Sequence, residues 1–429
     1  MELTPALSAH LAKAQSRLAH LPGLYELYRT CFASTCETTA KLLPEGEAFV
    51  FTGDIPAMWL RDSSAQVRHY LPFAKEDAQL QALLEGLIAR QANDICIDPY
   101  ANAFNEKPDD SRWDKDETVL TPWTWERKYE TDSLCYPVWL AWSYWKATGR
   151  SQIFTPQWRE AARKILGTLR TEQSHREQST YRFIRPWAVE QRNARETLQN
   201  DGLGTPVGYT GMTWSGFRPS DDACAYHYLI PANCFAAVIL GNLAEIAREV
   251  WQEEPFALEA LRVRREIVRG IEAYGIVHHP RFGRIYAYEA DGLGHFRLMD
   301  DANVPSLLSL PYLGYLPPED PVYQNTRAWL LSGENPCYFQ GKAACGVGSE
   351  HTAAGYVWPI ALAMQGLTAE RFEEQERIIR FLLDTTAGCG RMHESFHADD
   401  PSQFTRPWFA WADSLCAELI YETYLKEMI

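Results

Sequence analysis

Residues 51–68 read FTGDIPAMWLRDSSAQVR. Within them Trp59, Asp62, Ser63 and Gln66 follow the i, i+3, i+4, i+7 spacing that gathers side chains on one face of a helix. Leu60, Ser64, Val67 and Leu71 form a second, mainly apolar face that supplies a core contact. Pro56 suits the first turn, where its missing N–H costs nothing, so the spacing predicts a helix over 56–72 that starts at the rim of a fold. The first face joins a tryptophan to polar side chains, with Asp54 and Arg61 beside it. An aromatic ring among carboxylates and a guanidinium suits a sugar. The sugar's C–H face stacks on the ring, while its hydroxyls donate to carboxylates and accept from arginine.

The same helical period dominates the rest of the chain. It predicts further helices over 22–40, 75–96, 131–148, 155–172, 231–251, 256–274, 303–314, 354–366, 369–387 and 408–427. Thr155-Pro156 opens one of these and Gly149 closes the one before it. Long connections rich in aromatics and Asp lie at 97–130, 175–230, 276–302, 333–353 and 388–407. The segment 281–298 is the best hairpin candidate, with Asp291-Gly292 as its turn. No low-complexity linker or fixed-period repeat divides the chain. Eleven or so helices joined by alternating short and long connections predict an all-α fold, an (α/α)6 barrel of helical hairpins spanning 1–429 as a single domain. Long loops at one end would build the pocket, with one small β-hairpin among them.

The 429 residues are 46% hydrophobic and 23% charged, an ordinary globular composition. With 41 Lys and Arg against 56 Asp and Glu the net charge is −15, which argues against nucleic-acid or anionic-membrane partners. The N-terminal MELTPALSAHLAKAQSRL lacks the basic start and apolar run of a signal peptide. No stretch is expected to approach a membrane span. The ten cysteines are scattered without a C-x-x-C, so reduced thiols and a cytoplasmic location are expected. Aromatics make up 13% of the chain, 15 of them Trp. Those beside charged residues in turn-rich segments suggest a lined, partly polar cavity.

A second block, GMTWSGFRPSDDACAYHYLIPAN from Gly211 to Asn233, leads through Arg218 into the adjacent acids Asp221 and Asp222. Adjacent acids before a helix can simply cap it and complement its dipole. Alternatively one caps while the other enters the pocket as a proton donor, its pKa raised by desolvation near Trp214 and Phe217.

A third block, GCGRMHESFHADDPSQFTR, contains His393, Glu394 and His397 in the H-E-x-x-H arrangement of zinc proteases. That motif needs both histidines one turn apart on a stable helix. Here Gly388-Cys389-Gly390 precedes it and Asp399-Asp400-Pro401 follows it, which leaves too little room. In the alternative reading Glu394 is a carboxylate displayed in a loop, with His393 and His397 as hydrogen-bonding neighbours. Two carboxylates from distant segments, each beside aromatics, are the minimum kit for glycoside hydrolysis. Smaller polar clusters at Asp300, Asp301 and Asn303, and at Glu350 and His351, point the same way.

The blocks TGDIPAMWLRDSSAQV, MTWSGFRPSDDACAYHYLIPAN, MDDANVPSLLSLPYLG, GSEHTAAGYVWPIAL and MHESFH resemble those of glycoside hydrolase family 125, the exo-acting α-1,6-mannosidases of bacteria and fungi. The resemblance runs in order from about Tyr25 to Tyr424. It implies an (α/α)6 barrel, inversion of configuration, no metal or other cofactor, and a pocket for a non-reducing terminal mannose of an α-mannoside oligosaccharide. It places the general acid on Asp221, with Asp222 as fallback, and the general base on Glu394. Substrate-binding candidates are Asp54, Trp59, Arg61, Asp62, Trp214, Arg218, Asp222, Asn303, His351 and His393. The rival expectations are a zinc-dependent hydrolase built on His393, Glu394 and His397, a carbohydrate-binding protein without turnover, and a different glycosidase or lyase on the same scaffold. Oligomeric state does not follow from the residues.

Overall fold

The computed structural model describes residues 1–428; Ile429, the last residue of the expected 1–429 domain, lies outside the described residues. The chain is mostly helical. Its longer helices are α1 (Pro5–Leu18), α2 (Leu24–Ser34), α3 (Leu60–Arg68), α4 (Ala78–Ile97), α5 (Thr131–Thr148), α6 (Pro156–Thr171), α7 (Ile230–Ile246), α8 (Glu254–Gly270), α9 (Pro321–Leu330), α10 (Pro359–Leu367), α11 (Phe372–Asp384) and α12 (Ala410–Tyr424).

Two kinds of sequence sort these helices into two layers. In α7, IPANCFAAVILGNLAEI is apolar nearly all round and almost wholly buried, as a helix covered on every side must be. Helices α5 and α12 are similarly enclosed. By contrast α11 buries only the stripe Ile378, Ile379 and Leu382, and α6 a stripe including Trp158, Ala162, Ile165 and Leu169. The enclosed helices pack on one another: α3 on α5 and α12, α5 on α7, and α10 on α12. The striped helices cover them from outside, α8 on α7, and α11 on α10 and α12. One contiguous apolar cluster runs from Leu7 to Leu425.

Several elements differ from the sequence expectation. Helix α3 begins at Leu60, so Pro56 lies in the approach to it and Trp59 is the residue before its first turn. Residues 303–314 form successive turns instead of a helix. There the Asp300 carboxylate takes the Leu307 and Leu308 N–H groups at 2.8 and 3.1 Å, and Ser306 and Ser309 bond each other's backbone N–H, so side chains satisfy what a helical ladder would. Helices α1 and α9 were not expected, although Thr4 and Asp320 cap them ahead of a proline.

The hairpin over 281–298 is split. Gly283–Tyr286 pairs backward with Ile276–His279, while Glu289–Ala290 pairs with Phe296–Arg297 around the Asp291-Gly292 turn. Six small sheets, not one hairpin, are present among the described residues. The stretch Ile230–Trp251 also has the length and hydropathy of a membrane span, against expectation, but 83% of its apolar window is buried inside the fold, the setting of a core helix.

The small sheets position the site. Met58–Trp59, Ala103–Phe104 and Thr124–Glu126 form one sheet that feeds α3 and α5. Tyr356–Val357, Ser395–His397 and Phe404–Thr405 form another that feeds α10 and α12. Met58–Trp59 runs directly into α3, and Tyr356–Val357 reaches α10 after one residue.

Candidate active site

A pocket lies over the starts of α3, α10 and α12. Its wall takes Arg61 and Asp62 from α3, Trp59 and Trp358 from the residues before α3 and α10, and Phe409 and Trp411 from the start of α12. Loops add Ser220, Asp221, Asn303, His351, Glu394 and Arg406. The residues preceding α3, α5, α10 and α12 are Trp59, Glu130, Trp358 and Phe409, and none caps its helix with a side chain. The positive ends of these helices therefore favour acidic groups here.

Arg61 organises the floor. Its guanidinium is buried, with Nη1 at 2.5 Å from Glu130 Oε2 and 3.2 Å from Asp132 Oδ2, Nε at 3.4 Å from Asp62 Oδ2, and Nη2 at 3.6 Å from Asp221 Oδ1. Trp411 lies under it at 5.6 Å, a cation–π contact. Four carboxylates around one guanidinium cannot all ionise cheaply in a dry site. Burial, against the pull of Arg61, raises the Asp62 carboxyl to about 6 and the Asp132 carboxyl to about 6. Burial, with Asp221 and Asp132 adding to it, pushes Glu130 well above the carboxylate range.

Asp221 and Asp222 separate sharply although adjacent. Asp221 has φ 67°, a left-handed conformation rare for a residue with a side chain. Its backbone is fixed by Lys128 Nζ, which donates to its carbonyl at 2.8 Å, and by its own N–H, which donates to Arg218 O at 2.9 Å. This turn leaves the Asp221 side chain 34% exposed into the pocket. Burial among surrounding atoms works against its charge, but Lys128 and Arg61, a hydrogen bond from Glu130 and the charge of His351 outweigh it and hold the carboxyl below its usual range. That reverses the sequence expectation of a raised value. Asp222 points the other way, buried, with Oδ1 at 3.0 Å from His351 Nδ1. Burial opposes the imidazolium, yet the hydrogen bond and charge of Asp222 raise His351 to about 9, so it is cationic at neutral pH. Neither acid caps a helix, since α7 starts only at Ile230.

Glu394 stands at the opposite end of the chain and in the same pocket. Its backbone N–H donates to Arg406 O at 3.3 Å, and its Oε1 accepts from Arg406 Nη1 at 3.2 Å. Two residues earlier, the Met392 N–H donates to Asp413 Oδ1 at 2.8 Å, tying the loop to α12. Asp301 braces the far wall, taking Ser220 Oγ at 2.9 Å and Ser349 Oγ at 3.0 Å.

The pocket is rich in unanswered polar atoms. Trp59 Nε1, Trp411 Nε1, Asp62 Oδ2 and Asp221 Oδ1 are buried without a protein hydrogen-bond partner. Buried polar atoms are normally paired. Orphan donors and acceptors side by side, edged by indole faces, are what a polyhydroxylated ring would satisfy.

A family profile described as metal-independent α-mannosidase (GH125) matches residues 22–421. The chain belongs to glycoside hydrolase family 125. A Streptococcus pneumoniae structure of such a metal-independent α-mannosidase, in a non-productive substrate complex with α-1,6-mannobiose, is 44% identical over 98% of this chain and 99% of that one, with a TM-score of 0.94. The meiotically up-regulated gene 157 protein of Schizosaccharomyces pombe is 40% identical over 421 residues, covering 93% of this chain and 82% of that protein. A further solved glycosidase, 15% identical with a TM-score of 0.55, shares the fold alone.

In this family 125 chain, Trp59, Arg61, Asp62, Asn303, His351, Asp221 and Glu394 all line the pocket. Other expected contacts sit elsewhere. Trp214 is wholly buried, sandwiched between the His175 ring at 3.7 Å and the His227 ring at 4.6 Å. Arg218 is buried against Glu289 and Glu350 at 2.6 and 2.9 Å, anchoring the loop beneath Asp221. Asp54 holds Arg406 from outside, Oδ2 to Nε at 3.0 Å. His393 Nε2 donates to Thr386 O at 3.1 Å, and the ring stacks on Phe404 at 3.9 Å. Ser395–His397 is a strand, not a helix, so the two histidines of the H-E-x-x-H match lack the shared helical face zinc binding needs. Arg406, Trp358 and Phe409 were missed as site residues. In the structure the Trp and Phe, like Trp59, are the residues immediately before a helix start.

Proposed function

We propose that this α-mannosidase is exo-acting and α-1,6-selective, and that it releases a non-reducing terminal mannose with inversion, Asp221 serving as general acid and Glu394 as general base. The observation that carries this reading is that these two carboxyls open into one pocket while Asp222 and His393 are turned away from it. The pocket is lined by the aromatic rings of Trp59, Trp358, Phe409 and Trp411, which suits the face of a terminal sugar ring. The α-1,6 preference rests on the mannobiose seen with the Streptococcus pneumoniae relative.

In this mechanism the mannose ring lies against the indoles of Trp59 and Trp411. Asp62, Arg61, Asn303 and the His351 cation hold its hydroxyls. Asp221 protonates the bridging oxygen as the anomeric bond lengthens toward an oxocarbenium-like state, and Glu394 takes a proton from the water that attacks the opposite face. The enclosed and striped helices support reading the fold as a closed (α/α)6 barrel, with 1–429 a single catalytic domain. Ten free cysteines support a cytoplasmic location.

The test is proton NMR of the first mannose released from α-1,6-mannobiose, alongside Asp221→Asn and Glu394→Gln. The β-anomer should appear first, and each variant should lose about 10²-fold or more in kcat. An α-anomer first, or a variant near wild-type rate, would overturn the assignment.

A further inference from the structure

A general acid must carry a proton, yet Asp221 sits among cations. Arg61 Nη2 lies at 3.6 Å, the Lys128 ammonium bonds its carbonyl, and the His351 imidazolium is close by. The partner that answers this is Glu130. Its side chain is 0% exposed. One oxygen, Oε2, is taken by Arg61 Nη1 at 2.5 Å and Ser133 Oγ at 2.8 Å. The other, Oε1, has no donor, and neither does Asp221 Oδ1. Both oxygens belong to carboxyl groups gathered around the one Arg61 guanidinium, and two carboxyl groups so placed can bond each other only with a proton between them. Arg61 holds both through separate nitrogens, which fixes their approach.

We propose that Glu130 is the positioning residue that keeps the catalytic proton: Glu130 and Asp221 share one proton, and the pair, not Asp221 alone, is the general acid. The inference rests on reading Asp221 as the acid. In the step, the pair's O–H bond breaks, an O–H bond forms on the bridging oxygen, and that oxygen takes the electron pair of the opening anomeric C–O bond. Both carboxylates are then ionised, Glu130 against Arg61 and Ser133, Asp221 against Arg61 and Lys128. A proton from solvent resets the pair when the products leave and the pocket reopens. The groups that face the pair and set its titration are Arg61 and Asp62 from α3, and Glu126 and Lys128 from the strand and turn before α5. Asp132 on α5, the buried Cys224 and His351 complete the set. Burial is the first cause of Glu130's high value, and a carboxyl so enclosed gives up its proton only to a partner.

The experiment compares kcat/KM against pH for wild type, Glu130→Gln, Glu130→Asp and Asp221→Asn on two substrates: α-1,6-mannobiose, whose leaving oxygen needs a proton, and α-mannosyl fluoride, whose leaving group does not. Glu130→Gln should lose about 10²-fold or more on the disaccharide yet stay within about threefold on the fluoride. Its alkaline limb on the disaccharide should move to lower pH, because Asp221 alone surrenders its proton sooner. Glu130→Asp should recover part of the rate with a limb between the two. Should Glu130→Gln fail to fold, as circular dichroism would report, Glu130→Asp carries the test, since shortening the side chain must still displace the limb. An equal fall on both substrates, or an unmoved limb in either variant, would overturn the proposal. If Asp221→Asn keeps its disaccharide activity, the acid assignment itself fails. If Asp221→Asn shows the substrate split and Glu130→Gln does not, only the role of Glu130 fails.

Discussion

Arg406 links Glu394 to Asp54: its Nη1 lies 3.2 Å from Glu394 Oε1 while its Nε lies 3.0 Å from Asp54 Oδ2. The fork is backed by the Phe409 ring at 4.7 Å. A flat guanidinium spans two carboxylates on different faces, which a lysine ammonium cannot do.

Arg406→Lys should therefore keep the charge and lose the geometry. The expected outcome is a fall of roughly 10-fold in kcat, about 1.4 kcal/mol in barrier, with KM changed little. Steady-state kinetics on α-1,6-mannobiose decides it. A variant at wild-type rate would mean that charge alone positions Glu394.

The His351–Asp222 pair sets a pH signature for stability. His351 titrates at about 9 in the folded protein, against about 6.5 unfolded. A histidine raised on folding stabilises fully below its unfolded value and loses that contribution as pH climbs through its folded one. The Tm advantage of wild type over His351→Gln should thus be largest below pH ~6.5 and fade by pH about 9. Thermal melts across that window would refute the pairing if the advantage grew with pH.

Asp413 is a structural support for the base. Beyond the Met392 N–H it accepts Ser34 Oγ at 2.9 Å and Cys31 Sγ at 3.5 Å, all buried. Asp413→Ala leaves these donors without an acceptor, at about 1–3 kcal/mol for a buried group so orphaned. Chemical denaturation should show that loss, and kcat should fall with it because the loop carrying Glu394 is released. Full stability in the variant would contradict this account.

Trp59 and Trp411 offer indole N–H groups to the pocket that nothing in the protein accepts. Replacing either by Phe keeps a ring face and removes the donor. KM should rise by about 3- to 10-fold per variant, the value of one neutral hydrogen bond of about 0.5–1.5 kcal/mol. The check is isothermal titration with mannose or a mannose-like inhibitor, and unchanged affinity would remove these N–H groups from the binding account.

Much of the helical frame was legible because burial imposes a period on side chains. Helices α5, α6 and α8 fall within a few residues of expectation, since their apolar positions recur at helical spacing. Helices α1 and α9 went unread although Thr4-Pro5 and Asp320-Pro321 repeat the cap-then-proline signal read at Thr155-Pro156. Residues 303–314 misled for a physical reason: their apolar spacing is helical, but Asp300 and the serines intercept the backbone N–H groups.

The site was legible as chemistry and not as geometry. Trp59, Arg61, Asp62, Asp221 and Glu394 could be singled out by type and company. That Trp214 would vanish between two histidine rings, or that Arg218 would anchor a loop, depends on partners far along the chain.

By itself the sequence determined which stretches coil, which of their faces seek the core, and that aromatic and acidic groups cluster where helices begin, because these follow from local spacing and from the preference of a helix start for negative charge. Only the tertiary structure decided which acid of the Asp221–Asp222 pair enters the pocket, and that Glu130 stands behind it. That choice lies in one left-handed backbone turn, fixed by Lys128 and Arg218, and it directs neighbouring side chains to opposite sides in a way no linear pattern encodes.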